Sequence, residues 1–72
     1  MSASASCTIL LNGAPLELEA GTTVSALVAV AAESPKGIAV AVNADVVPRS
    51  AWDRTVVAAG DRVELLTAAQ GG

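Results

Sequence analysis

The sequence predicts an α+β domain, a mixed sheet of four to five strands packed on one helix. Three observations carry this. Asn12-Gly13 lies between two short apolar segments, the second of which alternates cleanly with glutamate. A stretch opening at Val24 repeats its apolar residues at helical spacing. Two later segments, 38–42 and 63–66, have the length and apolar pattern of strands.

Seventy-two residues make one domain. A chain of this size buries only about 60% of its unfolded surface, so the core is small and must be well packed. Apolar residues are 53% of the chain, and Trp52 is the single aromatic. One cysteine cannot close an internal disulfide, and a chain without histidine has little to offer zinc.

The net charge of −3 and the scatter of Lys36, Arg49, Arg54 and Arg62 argue against nucleic acid, which needs a positive surface. A partner with a basic groove fits the balance better. No segment reaches the roughly 20 apolar residues of a membrane span. Residues 1–6 lack the positive charge of a secretory signal. A lone thiol agrees with a reducing compartment, so the expectation is a cytoplasmic protein that binds neither nucleic acid nor membrane.

The elements follow in order. Residues 1–6 read as a flexible N-terminal tail, 7–67 as the folded domain and 68–72 as a flexible C-terminal tail. Residues 7–11 form a first strand, with β-branched Thr8 and Ile9. Asn12-Gly13 is the strongest short hairpin signal, because both residues tolerate positive φ. In the second strand, through residue 19, Leu16 and Leu18 face the core and Glu17 and Glu19 face water. Gly21 breaks the strand, and Thr22 or Thr23 caps a helix. Val24, Leu27, Val28 and Ala31 give its apolar stripe. Ser34-Pro35 stops it, since proline disfavours helical geometry in the preceding residue, and Gly37 marks the exit.

In the strand at 38–42, Ile38, Val40 and Val42 share one face and Ala39 and Ala41 the other. Asn43-Ala44-Asp45 turns the chain into a short return strand, Val46-Val47, which Pro48 ends. The stretch 49–59 carries weaker signals, with one short helical turn near Ser50 to Arg54. Gly60-Asp61 is a further turn. In the last strand Val63 and Leu65 point inward and Glu64 outward, and from Thr67 the pattern stops. Strand, strand, helix, strand, short strand, strand is the order of a β-grasp, with the helix across one face of a mixed sheet.

Side-chain catalysis finds little support. Histidine and tyrosine are absent, which removes the commonest general base. Cys7 heads an apolar strand with nothing nearby to activate it, and reads as a buried structural thiol. Glu17, Glu19, Glu33, Asp45, Asp53, Asp61 and Glu64 are dispersed over turns and outward strand positions. No glycine-rich phosphate loop opens a helix. The C-terminus remains. Glycine has no Cβ, so Gly71-Gly72 can enter a narrow channel and bring the terminal carboxylate to another enzyme's catalytic groups. A glycine-rich frayed end is the other reading of the same residues, and the tail alone does not separate the two.

Residues 7–72 as a whole resemble the sulfur carriers of thiamine biosynthesis, the ThiS family, which have the ubiquitin-like β-grasp fold. The resemblance rests on Ala20-Gly21-Thr22-Thr23-Val24 and Ala39-Val40-Ala41-Val42-Asn43. Val47-Pro48-Arg49 with Trp52, Gly60-Asp61 and the terminal Gly71-Gly72 complete it. Gln70 departs from the small or apolar residue usual in the family. The resemblance implies that the chain is a protein co-substrate and not an enzyme, with no cofactor or metal of its own. A ubiquitin-activating-like adenylyltransferase would adenylate Gly72 with ATP and magnesium. A persulfide sulfur donor would convert it to a thiocarboxylate, and thiazole synthase would accept the sulfur. Gly71 would thread into the partners' active sites.

Leu66 points away from the core if Val63 and Leu65 point in; it is either a partner-facing residue or an ordinary exposed apolar side chain. Trp52 reads as a half-buried packing residue, and Arg49 either pairs with Asp53 or touches a partner. Three alternatives stand beside the thiazole carrier. A molybdopterin-synthase-type carrier shares fold and tail, against which the Val-Pro-Arg block and compact length count. A ubiquitin-like covalent modifier would leave Gly72 in isopeptide linkage. A plain β-grasp interaction module would keep its binding after loss of Gly71-Gly72.

Overall fold

In a computed structural model the chain forms β1 (Ser6–Leu11), β2 (Ala14–Glu19), α1 (Val24–Ala31), β3 (Ile38–Val42), β4 (Asp45–Val47), a 3-10 helix (Arg49–Arg54) and β5 (Arg62–Thr67). The structure describes residues 5–34 and 36–67. The sheet order is β2-β1-β5-β3-β4. β1 and β5 run parallel at its centre, and every other neighbouring pair is antiparallel. This is the mixed β-grasp sheet that the element order predicts.

Asn12 (φ 50°) and Gly13 (φ 86°) form the two-residue loop between the paired Leu11 and Ala14. Positive φ at both positions is what a type I′ turn requires, and its twist matches that of the strands. β1 opens at Ser6, one residue before the expected start. Ser6 pairs with Glu19 across the hairpin, and its hydroxyl donates to Glu17 Oε2 at 2.9 Å.

Thr23 is the helix cap: its Oγ1 accepts from the Ala26 N–H at 3.1 Å. Thr22 has a different task, donating its hydroxyl to the Glu19 carbonyl at 2.6 Å. The helix ends at Ala31, ahead of the expected stop at Ser34-Pro35. Ala32 has already turned to extended geometry while its N–H still reaches the Val28 carbonyl at 2.9 Å. Three valines in eight residues give little propensity to run further. Ala31 is therefore exposed, and the buried stripe shrinks to Val24, Leu27 and Val28, with Ala32 packing behind them.

Those three residues pack on Ile9, Val40 and Val63 of the sheet, and Trp52 and Val57 close the side. No buried residue among those described is polar or charged. Backbone bonds tie the chain after the 3-10 helix to the helix entrance. The Val24 N–H donates to the Thr55 carbonyl at 2.8 Å and the Val57 N–H to the Thr22 carbonyl at 2.9 Å. β5 extends from Arg62 to Thr67, longer at both ends than its sequence pattern. Thr67 still pairs with Ile38.

The second hairpin repeats the geometry of the first with a poorer residue. Asn43 (φ 51°) and Ala44 (φ 74°) link the paired Val42 and Asp45. A Cβ in the left-handed region costs about 1–2 kcal/mol, part of which glycine returns through its freer unfolded chain. Ala44→Gly is expected to stabilise the fold by about 0.5–1 kcal/mol, read as a raised urea midpoint at unchanged slope. A lowered midpoint would contradict the strain assigned to this turn.

Candidate functional site: the root of the C-terminus

β5 leads directly into the C-terminal residues, so the position of this strand governs where they begin. Val63 is fully buried and Leu65 half-buried on the core side, while Glu64 and Leu66 are exposed, as the alternation predicts. Gly71 and Gly72, the expected reacting end, lie outside the described residues.

Two asparagines grip β5. The Asn43 N–H donates to the Arg62 carbonyl at 2.7 Å, and the Arg62 N–H donates back to Asn43 Oδ1 at 2.9 Å. Asn43 Nδ2 also donates to Asp61 Oδ1 at 2.9 Å, and Asp61 Oδ2 accepts from the Ala58 N–H at 2.8 Å. Asp61 is thus committed to its turn. At the other end of the strand, the Leu65 N–H donates to Asn12 Oδ1 at 2.9 Å, and Asn12 Nδ2 donates to the Leu65 carbonyl at 3.3 Å. Sequence reasoning found both asparagines as turn residues. It missed their side-chain bonds, for which a turn asparagine gives no signal.

The face of the sheet away from the helix carries an apolar strip. Leu66 is 60% exposed and sits opposite Ala39; in the next row Val46, 75% exposed, lies opposite Ala41. Glu64 shares the Ala41 row, and Arg62 lies beside Leu10 across the parallel pair. The strip therefore reaches β5 at its last described residues and is edged by charge.

Cys7 faces the core opposite Leu18 but is only half-buried, not buried. It stands near the open end of the hairpin, where Leu18 is itself half-covered. Trp52 is more buried than expected, at 5% exposure, with its indole N–H donating to the Val47 carbonyl at 3.1 Å. The Arg49 guanidinium lies 5.0 Å from the centre of the Trp52 ring, a cation–π distance. No helix among the described residues is long and apolar enough to cross a membrane.

A family model described as the ThiS family matches residues 9–72, so the match includes the terminal Gly71-Gly72. The chain is similar to the sulfur carrier protein ThiS of Escherichia coli (strain K12). The two are 34% identical over 64 residues, spanning 89% of this chain and 97% of that protein. The crystal structure of the thiamine biosynthesis protein ThiS from Geobacter metallireducens superposes with a TM-score of 0.78 at 31% identity. It covers 90% of this chain and 99% of that one. The family match, the 34% identity over most of the chain and the shared fold agree, and the chain belongs to the ThiS family.

Proposed function

We propose that this protein is the sulfur carrier of thiazole formation in thiamine biosynthesis, a cytoplasmic co-substrate whose reacting group is the Gly72 carboxylate. The observation that carries the reading is the family match, which runs through residue 72. The ThiS relatives it resembles support it along nearly their whole length.

The chemistry follows from the terminus. A carboxylate is a poor electrophile, so an adenylating partner joins it to the α-phosphate of ATP, with magnesium, and releases pyrophosphate. The acyl adenylate then has a good leaving group. The terminal sulfur of a donor persulfide displaces AMP, and thiol reduction of the remaining S–S bond leaves a thiocarboxylate on Gly72. That group is a soft nucleophile suited to delivering sulfur to a carbonyl or imine intermediate on thiazole synthase. Gly71 lets the end thread a narrow channel because no Cβ obstructs it.

The described residues contribute the docking face. Leu66 lies on the apolar strip nearest the tail, and the partner would cover it as the terminus enters its active site. The acidic balance of the chain suits a basic groove around that strip.

The reading is tested by carrier-dependent exchange of labelled pyrophosphate into ATP, catalysed by the cognate adenylating enzyme. Saturable exchange is expected. Its absence with an enzyme proven active on another carrier overturns the assignment. In the same assay Leu66→Asp is expected to raise KM about tenfold, or about 1.4 kcal/mol of lost docking energy. Because Leu66 is exposed in the free protein, the fold should be retained. An unchanged KM would remove Leu66 from the docking face.

A further inference from the structure

We propose that Asn12 is a positioning residue for the C-terminus: its side-chain amide stands in for a missing strand partner of Leu65 and sets the path of the last residues out of the sheet. This rests on the reading that Gly72 is the reacting end.

The parallel ladder between β1 and β5 is short. It pairs Leu10 with Arg62 and Leu11 with Val63, and the Asn12 N–H adds a bond to the Val63 carbonyl at 2.9 Å. Then the chain turns away through Gly13. Leu65, two residues on, would face this side with both backbone groups unpaired. The Asn12 amide supplies an acceptor and a donor in one planar unit, at 2.9 and 3.3 Å. A primary amide matches the peptide group it replaces, so the ladder continues one step further without further strand. Asparagine also tolerates the left-handed conformation of the turn, so one residue both makes the hairpin and holds β5.

The position of this clamp gives it functional weight. Five residues, 68–72, follow Thr67. Fully extended they reach about 17 Å, and a tilt of about 10° at their root moves the far end by about 3 Å. Reactive alignment tolerates errors of about 1 Å. A root that frays must also be ordered again each time the terminus enters a partner, which lowers the fraction of docked complexes that react. The Asn43 side chain also holds β5, accepting from the Arg62 N–H at 2.9 Å and donating to Asp61 Oδ1 at 2.9 Å, but at the opposite end of the strand, remote from the terminus. It is the natural control.

Asn12→Gly keeps a turn that accepts positive φ and deletes the amide; Asn43→Gly does the same at the other hairpin. With the full chain and the adenylating enzyme, Asn12→Gly is expected to lower kcat of pyrophosphate exchange about tenfold. KM should stay within about twofold, because the docking face is untouched. Leu65 amide hydrogen exchange should accelerate at least about tenfold. Asn43→Gly is expected to keep kcat within about twofold even if it loses comparable stability. Asn12→Asp retains the acceptor for the Leu65 N–H but loses the donor, and its kcat should fall between wild type and Asn12→Gly. A wild-type kcat in folded Asn12→Gly, or equal losses in the two glycine variants, overturns the proposal. If Asn12→Gly does not fold, a wild-type kcat in Asn12→Asp overturns it instead. Failure of the carrier reading is distinct, because the unaltered chain would then support no exchange at all.

Discussion

Deleting Gly71 and Gly72 is expected to abolish thiocarboxylate formation while leaving the thermal midpoint within about 2 °C of the full chain. The described core ends with buried Val63 and with Leu65 packed against it, and the last described sheet pair joins Thr67 to Ile38, so the packing and strand pairing that hold the domain lie before the deleted residues. The chemistry, by contrast, is assigned to the terminal carboxylate. Histidine and tyrosine are absent, and the carboxylates Asp61 and Glu17 are engaged in local hydrogen bonds. Ending the chain at Gln70 moves the carboxylate back by two residues, about 7 Å in an extended chain, far outside reactive alignment. Intact-mass measurement of the truncated chain after incubation with the activating system, beside a thermal melt, checks both. Sulfur incorporation into the truncated chain would contradict the role of Gly72, and a collapsed melt would show that the end supports the fold.

Trp52→Ala is expected to be the most damaging single change to stability, costing about 3–5 kcal/mol. A domain of this length has about 4–11 kcal/mol in total, so the variant should be largely unfolded at 37 °C. Trp52 is the bulkiest side chain in the core. It joins the 3-10 helix to β4 through the bond from its indole N–H to the Val47 carbonyl, and its face carries the Arg49 guanidinium. Trp52→Phe keeps an aromatic body in the cavity and deletes the N–H, so a smaller loss of about 1–3 kcal/mol is expected. Urea unfolding followed by circular dichroism orders the three proteins. A loss below about 1 kcal/mol in Trp52→Ala would mean that the side is closed by other residues.

Much of this architecture was legible in the residues themselves. The Leu16-Glu17-Leu18-Glu19 alternation fixed the faces of β2, and Asn12-Gly13 fixed the turn before it, because both are local signals with one cheap conformation each. Val63, Glu64, Leu65 and Leu66 lie on their expected sides for the same reason, and the alternation alone puts Leu66 on the outer face. The end of α1 was misjudged because proline is a visible stop. The real one is Ala32 turning extended after a valine-rich helix, which no single residue advertises. Trp52 was expected to be half-buried. Its burial depends on the chain between β4 and β5 folding over the helix entrance, a tertiary event without periodicity. The clamp of Asn12 on Leu65 spans 53 positions; a turn propensity at one end cannot reveal a hydrogen bond so distant in sequence. The family resemblance supplied the chemistry of the terminus, which composition and spacing left level with an ordinary glycine-rich end.

Whether Gly72 carries sulfur is read from the intact mass of the full chain after incubation with the cognate adenylating enzyme, ATP, magnesium and a persulfide donor. A gain equal to one sulfur replacing one oxygen is expected, localised to Gly72 by fragmentation and absent when ATP is withheld. An unchanged mass, with the same enzyme and donor converting another carrier, would contradict it.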